Sequence, residues 1–432
     1  MFQLFKSNFY NFEATRILST TSAEGCETAE FLEAMGKMRQ HDPESWYRAW
    51  SEQSQRAEVT AREAVHRGCI EAARGAASGY MLPYMLPWSG TDERFLQSAK
   101  RSITMFREAI PYMETRVMVL KIPYQDHVSM PAYLYLPAAS RRMRGAGANR
   151  TPIIISCGGA DSTQEELYFV AAAAGVNLGY AVLTFDGPGQ GLFLKKNKTA
   201  MGPDFEVVSG RVLDYLDDLV AGNPDLGLDL DRIAVMGISL GGHFALRSSI
   251  DARIKACVTV DLFYGLWRLA LKRMPGWLAK MGTSGWLPEQ AFNALIYLQM
   301  VAHFPMRWEM ELSMGILGTS TPGDMLRRCQ SLDLDVAPDG KGKITDWIRY
   351  PVLLTGAPSS VYASPDESTM VIYEALSQIS EEQKETWIPK EVGQGGLTAK
   401  VGAWGLLAQR SLQFLDKHLH VVRTSKGNGD VS

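Results

Sequence analysis

The chain has 432 residues, 46% of them hydrophobic and 21% charged, with both signs interspersed and a formal net charge of -3. That is enough chain for one large globular domain, or a large one with a smaller companion, and it leaves no electrostatic footprint for nucleic acid. The one basic cluster, Arg141, Arg142 and Arg144, lies in a Gly/Ala-rich stretch that reads as a solvated loop. The five cysteines, Cys26, Cys69, Cys157, Cys257 and Cys329, are odd in number, widely spaced and without CxxC pairs. Neither a disulfide framework nor a zinc site is expected, and no metal or cofactor is called for. Residues 1–12 carry no apolar signal core, and no segment holds the roughly eighteen consecutive apolar residues a membrane span requires. A reducing, cytoplasmic location away from membranes is the expectation.

In chain order, residues from about 27 to 111 read as helices. Asp42-Pro43 supplies a cap and a first-turn proline, Trp46, Tyr47 and Trp50 recur at helical spacing, and 95–109 repeats the pattern. The organisation changes near residue 113. Strands are expected at 117–122 and 131–136, joined by a turn at Gln125-Asp126-His127, and then at 153–156, 181–185, 233–236, 256–260, 352–355 and 385–389. Helices at 165–174, 205–220, 242–250, 368–379 and 402–417 alternate with these strands in the manner of βαβ units. The interval 262–348 breaks the alternation. It has helix-length segments rich in Trp and Met, including Trp267, Trp277, Trp286, Trp308, Met300, Met306, Met310 and Met314, and no strand. It reads as a cap over the carboxyl edge of the sheet. The resulting division is a helical segment over 1–112, a core over 113–261 and 350–432, and a cap insertion over 262–349.

The most informative run is Gly237-Ile238-Ser239-Leu240-Gly241, which puts a serine between glycines where a buried strand must turn sharply into a helix. This is the pattern of a nucleophile elbow, and the helix N-terminus beyond it favours developing negative charge. Gly158-Gly159-Ala160 follows the strand ending at Ser156, so the amides of Gly159 or Ala160 can join that of Leu240 in facing an oxyanion. Asp161 and Glu165 are open to substrate contact, although an Asp before Ser162-Thr163 and a helix also suits a cap. Asp186-Gly187-Pro188-Gly189-Gln190-Gly191 lacks the lysine and spacing of a phosphate loop. It reads as a demanding loop near the pocket, in which Asp186 either holds the loop or meets substrate.

The succession Gly158-Gly159-Ala160-Asp161-Ser162-Thr163-Gln164-Glu165-Glu166-Leu167, the run from Gly179 through Asp186-Gly187-Pro188-Gly189-Gln190-Gly191, and the elbow together resemble the fungal α/β-hydrolases typified by the yellowish-green pigment hydrolase. That family is related to FrsA-like esterases and to the pseudooxynicotine carbon-carbon hydrolase. The resemblance covers most of the chain. It implies an α/β-hydrolase fold with a mostly parallel sheet, a helical N-terminal domain that helps enclose the substrate, a homodimer, and work on polyketide-derived intermediates.

The expected triad partners of Ser239 are missing. Where the resembling family has Gly-x-x-Asp, this chain reads Gly356-Ala357-Pro358-Ser359, and Asp366-Glu367 a few residues later reads as the start of a helix. Where the family has its histidine, Thr398 stands. Two displaced bases remain open: His243, one turn beyond Ser239, which either flanks the pocket or packs under the elbow, and His303 in the cap. The Trp, Met and Phe side chains of the cap, with Tyr80, Tyr84 and Trp88, suit a large apolar pocket and equally suit packing between helical layers. A bulky polyketide or polyketide-amino-acid substrate is therefore expected. Cyclisation or carbon-carbon reorganisation is favoured over hydrolysis with a displaced base, and over a catalytically inactive binding role.

Overall fold

A computed structural model describes residues 3–66, 93–125, 127–141, 150–284 and 286–423. Tyr80, Tyr84 and Trp88 fall outside the described residues.

The core is an eight-stranded sheet in the order β1-β2-β4-β3-β5-β6-β7-β8. The strands are β1 Arg116–Gln125, β2 Val128–Leu136, β3 Thr151–Cys157, β4 Ala181–Phe185, β5 Leu228–Ile238, β6 Ile254–Val260, β7 Val352–Thr355 and β8 Lys384–Trp387. β1 and β2 form an antiparallel hairpin and β2 runs antiparallel to β4, while every pair from β4 to β8 is parallel. Parallel strands are covered on both faces, which is why β3, β4 and the second half of β5 are continuous runs of Ile, Val, Leu and Ala rather than alternating ones.

The helices are α1 Asn8–Ser19, α2 Thr28–Lys37, α3 Pro43–His66, α4 Glu93–Ala109, α5 Ala173–Asn177, α6 Gly191–Asn197, α7 Phe205–Gly222 and α8 Leu240–Ser248. Five more, α9 Leu266–Arg273, α10 Gly276–Ser284, α11 Glu289–Ala302, α12 Phe304–Leu317 and α13 Pro322–Cys329, occupy the interval between β6 and β7, followed by α14 Thr369–Ala375 and α15 Trp404–His418. Among the described residues this interval is helical apart from an isolated bridge between Gly265 and Asp333. Asp42 caps α3 by accepting from Ser45 N at 3.1 Å, as its place before Pro43 implies.

Two helices lie outside the expected ones, the short α6 and, at the N-terminal end, α1. Residues 8–19 look undistinguished because the face that packs carries charge: Tyr10, Asn11, Glu13, Ala14, Arg16 and Ile17 are all buried. The Ser7 hydroxyl caps the helix. Phe9 meets Trp308 of α12 edge-on at 5.2 Å, and Tyr10 meets Trp46 of α3 at 5.9 Å, so α1 wedges between the N-terminal helices and the insertion. Its other end is tied to the core, where Gly402 N donates to the Ser19 hydroxyl at 2.7 Å.

Candidate active site

The turn from β5 to α8 has the expected geometry. Ser239 takes φ 56° and ψ -119°, a left-handed conformation costly for a side-chain-bearing residue and held here by its surroundings. Its N–H donates to Val260 O at 2.7 Å, fastening the turn to the end of β6. The flanking glycines are needed sterically: a Cβ on Gly237 would lie 1.8 Å from Gly241 O, and one on Gly241 would lie 2.3 Å from Cys157 O. The segment after β3 comes equally close, since a Cβ on Gly159 would sit 3.2 Å from Ile238 O and 3.6 Å from Ser239 Cβ. Gln190 braces that segment by donating from Nε2 to Gly158 O at 2.8 Å and accepting from Gly187 N at 3.0 Å.

Ser239, Leu240, Gly159 and Ala160 line one cavity of about 1120 Å³, at the upper end of the size of small-molecule sites. The Leu240 amide opens α8 and has no acceptor within its own helix. The roof comes from the insertion and includes Leu269, Ile296, Met306, Trp308 and Met310. His303 also lines the cavity, as an exposed residue at the end of α11. Three tryptophans expected in the roof do not line the cavity: Trp267 packs against the core, and Trp277 and Trp286 are 61% and 88% exposed.

Two other expectations need correction. His243 does not flank the pocket. It lies fully buried beneath the elbow, 6.4 Å from the Phe263 ring, and burial depresses its pKa to about 3, so it is a neutral packed imidazole. Asp186 does not meet the cavity either. Its Oδ1 accepts from Gln164 N at 2.8 Å, so it holds the loop, and burial together with the charge of Glu165 raises its pKa. Asp161 does face the cavity, but as an ion-pair partner rather than a helix cap: Arg16 Nη1 donates to its Oδ2 at 2.5 Å.

Hydroxyls and a buried ion pair stand where the triad partners were sought. The Thr398 hydroxyl lies on the cavity wall and donates to Ser360 Oγ at 3.0 Å. Ser359, the residue aligned with the acid, is exposed. Behind them Lys400 Nζ sits 2.8 Å from Asp261 Oδ1 and donates to Gly356 O at 2.8 Å, and the Thr355 hydroxyl donates to the same Asp261 oxygen at 2.7 Å. Both side chains of this pair are buried, and Asp261, Ala399 and Lys400 all have positive φ. Burial lowers the Lys400 pKa against the pull of Asp261. Asp366 and Glu367 belong to a short helical turn capped by Ser364, as expected of a helix start. Among the described residues, the histidine–carboxylate contact is His418 with Glu385 at 3.7 Å, and neither lines this cavity.

Residues not anticipated enter from α1. Phe12, Glu13 and Arg16 line the cavity. Arg16 donates from Nε and Nη2 to the two oxygens of Glu166, each at 2.6 Å, in addition to its bond to Asp161. This is a bidentate pair in a buried setting, and it ties α1 to the segment carrying the oxyanion amides.

A serine at a strained strand-to-helix turn, sharing a cavity with the segment after β3 under a helical insertion, is the arrangement of an α/β-hydrolase-fold protein. A family model described as the alpha/beta hydrolase family matches residues 145–354. The alpha/beta hydrolase xenA of Xenoacremonium sinensis is 43% identical over 98% of this chain and 99% of its own length. The alpha/beta hydrolase gkaG of Penicillium citrinum is 44% identical over 96% of this chain and 97% of its own length. Among solved structures, a 2,6-dihydroxy-pseudo-oxynicotine hydrolase superposes with a TM-score of 0.66 at 20% identity, covering 96% of this chain and all 100% of that one, a likeness of fold. The chain belongs to the alpha/beta hydrolase family, and these two relatives of near-equal length are fungal.

Proposed function

We propose that the protein is an enzyme of secondary metabolism that closes a ring or reorganises carbon-carbon bonds in a bulky, largely apolar polyketide or polyketide-amino-acid intermediate, working as a homodimer in the cytoplasm. The observation that carries this reading is the pairing of a formed elbow with hydroxyls on the opposite wall: Thr398 in the place of the imidazole, bonded to Ser360, the neighbour of the Ser359 that aligns with the acid. Without a base on its hydroxyl, Ser239 is a poor nucleophile but a good hydrogen-bond donor. Its hydroxyl, with the amides of Leu240 and Gly159 or Ala160 on the same cavity, stabilises charge developing on a carbonyl oxygen or enolate. The large apolar cavity holds a flexible chain folded, with its reacting carbons near each other.

A second reading, hydrolysis of an ester or carbon-carbon bond with His303 as base, draws on the position of that imidazole on the same cavity. Mass spectrometry of an extract from the source organism lacking this gene, supplemented with purified protein, separates the readings. An accumulated intermediate converted to an isomer, or to a product lighter by water, is the expected result. A product heavier by water contradicts ring closure, and an unchanged extract leaves a binding protein.

A further inference from the structure

Glu13 is a buried carboxyl that the elbow and its amides do not account for. It lies on the cavity wall with Ser239, yet it is 2% exposed, and its Oε2 has no hydrogen-bond partner among the described residues. A buried carboxyl oxygen left unfilled is costly unless something else completes it. Its one cationic neighbour is already engaged. Arg16 gives two bonds to Glu166 and one to Asp161, and its Nη1 stands 3.6 Å from Glu13 Oε2, too long for a hydrogen bond. Three carboxyls thus surround one guanidinium, and two of them are directly bonded to it. Glu13 is the one left to hold a proton. Burial, opposed by Arg16 and reinforced by Asp161 and Glu166, pushes its pKa up to about 8. Its neighbourhood consists of Arg16 on its own helix and Asp161 and Glu166 from the segment after β3, with His41 and His303 elsewhere on the cavity wall. Both histidines are exposed, and His41 Nε2 is 2.7 Å from Gln40 Nε2.

Resting on the reading that a substrate carbonyl sits against Ser239 and its amides, we propose that Glu13 is the proton-transfer residue of this cavity. An enol carbon of the substrate attacks a carbonyl carbon of the same molecule, and the new bond takes the enol π pair. The displaced carbonyl pair goes to oxygen, which takes the proton from the Glu13 carboxylic acid. The enol hydroxyl then returns a proton to the Glu13 carboxylate, restoring the acid, and the immediate product is an isomer of the substrate. Arg16, whose Nη1 stands 3.6 Å from Glu13 Oε2, stabilises the carboxylate during the interval in which it is charged. Nothing beyond the substrate is consumed.

The test uses Glu13→Gln and Glu13→Asp in the full-length protein, with the gene-deleted extract as substrate source. Glu13→Gln should lower turnover about a hundredfold or more with KM within about threefold, and Glu13→Asp should recover part of the loss. Wild-type turnover should fall as pH rises through about 8, and the residual turnover of Glu13→Gln should lack that fall. Stability supplies a readout that needs no substrate. The folded carboxyl keeps its proton up to about 8 and the unfolded one releases it near the ordinary value of 4.5, so wild-type stability should decline with rising pH across that window, more steeply than that of Glu13→Gln. Glu13→Gln turnover within about threefold of wild type, with the same pH profile, overturns the proposal while leaving the ring-closure reading intact. A product heavier by water from the unaltered protein sinks the ring-closure reading whatever Glu13 does. If Glu13→Gln fails to fold, a flat wild-type turnover profile between about pH 7 and 9 overturns the proposal by itself.

Discussion

Two walls of the same cavity have been built on different terms. On the β5–α8 side every feature of a nucleophile elbow is present: the left-handed serine, the flanking glycines and the adjacent amides. On the β7–β8 side the loops have the right connectivity, but they present Thr398 bonded to Ser360 and, behind them, a buried Lys400–Asp261 pair. In the proposed reading the first wall stabilises an anion, and the second, with a hydroxyl in the histidine's place, does not relay a proton from the serine. Anion stabilisation needs only backbone direction and a hydroxyl, whereas activation of a nucleophile also needs an oriented base.

The largest effect should come from breaking the intact wall. Gly237→Ala places a Cβ 1.8 Å from Gly241 O, a backbone atom that cannot step aside, and the variant should fail to give a cooperatively melting protein. On the other wall, Lys400→Met strands Asp261 in the interior and should cost about 3–5 kcal/mol by denaturant titration. The double variant Lys400→Met with Asp261→Leu should recover part of that loss, because no buried charge is then unpaired. Recovery of nothing would mean that the pair holds the two loops together through its bonds to Gly356 and Thr355 rather than by mutual neutralisation. Ser239→Ala removes one hydrogen bond to developing charge, and turnover should drop by roughly tenfold to a thousandfold rather than vanish. The smallest expected change is a gain. Thr398→His with Ser360→Asp puts an imidazole and an acid where two bonded hydroxyls now stand, and should speed labelling of Ser239 by a fluorophosphonate by about tenfold.

The contrast between the walls also explains what the sequence reveals. The elbow is legible because all of its requirements are local: five consecutive residues carry the turn, an apolar strand segment leads into it and a buried helix follows it. The missing partners are legible for the same reason, as substitutions in short loops at fixed places after β7 and β8, although the hydroxyl bonded to Thr398 belongs to Ser360 and not to Ser359. His243 shows the limit of local spacing. One helical turn from Ser239 is close along the chain, but α8 descends from the elbow into the core and carries that ring beneath the turn, against Phe263. Glu13 and Arg16 were illegible because their burial is created by distant parts of the chain, namely Glu166 and Asp161 after β3 and Trp308 in the insertion. A charged residue near an N-terminus reads as solvated surface until its partners are known.

The central claim is that Ser239 donates a hydrogen bond and does not attack. It is tested most directly by the rate at which the intact protein gains the mass of a fluorophosphonate probe at neutral pH. A serine without a general base keeps a hydroxyl pKa far too high for fast attack, so adduct should accumulate slowly and stay well below one equivalent on the timescale that saturates an active serine hydrolase. Rapid stoichiometric labelling, absent from Ser239→Ala, would contradict the account and make this protein a covalent serine hydrolase with a base on some other wall of the cavity.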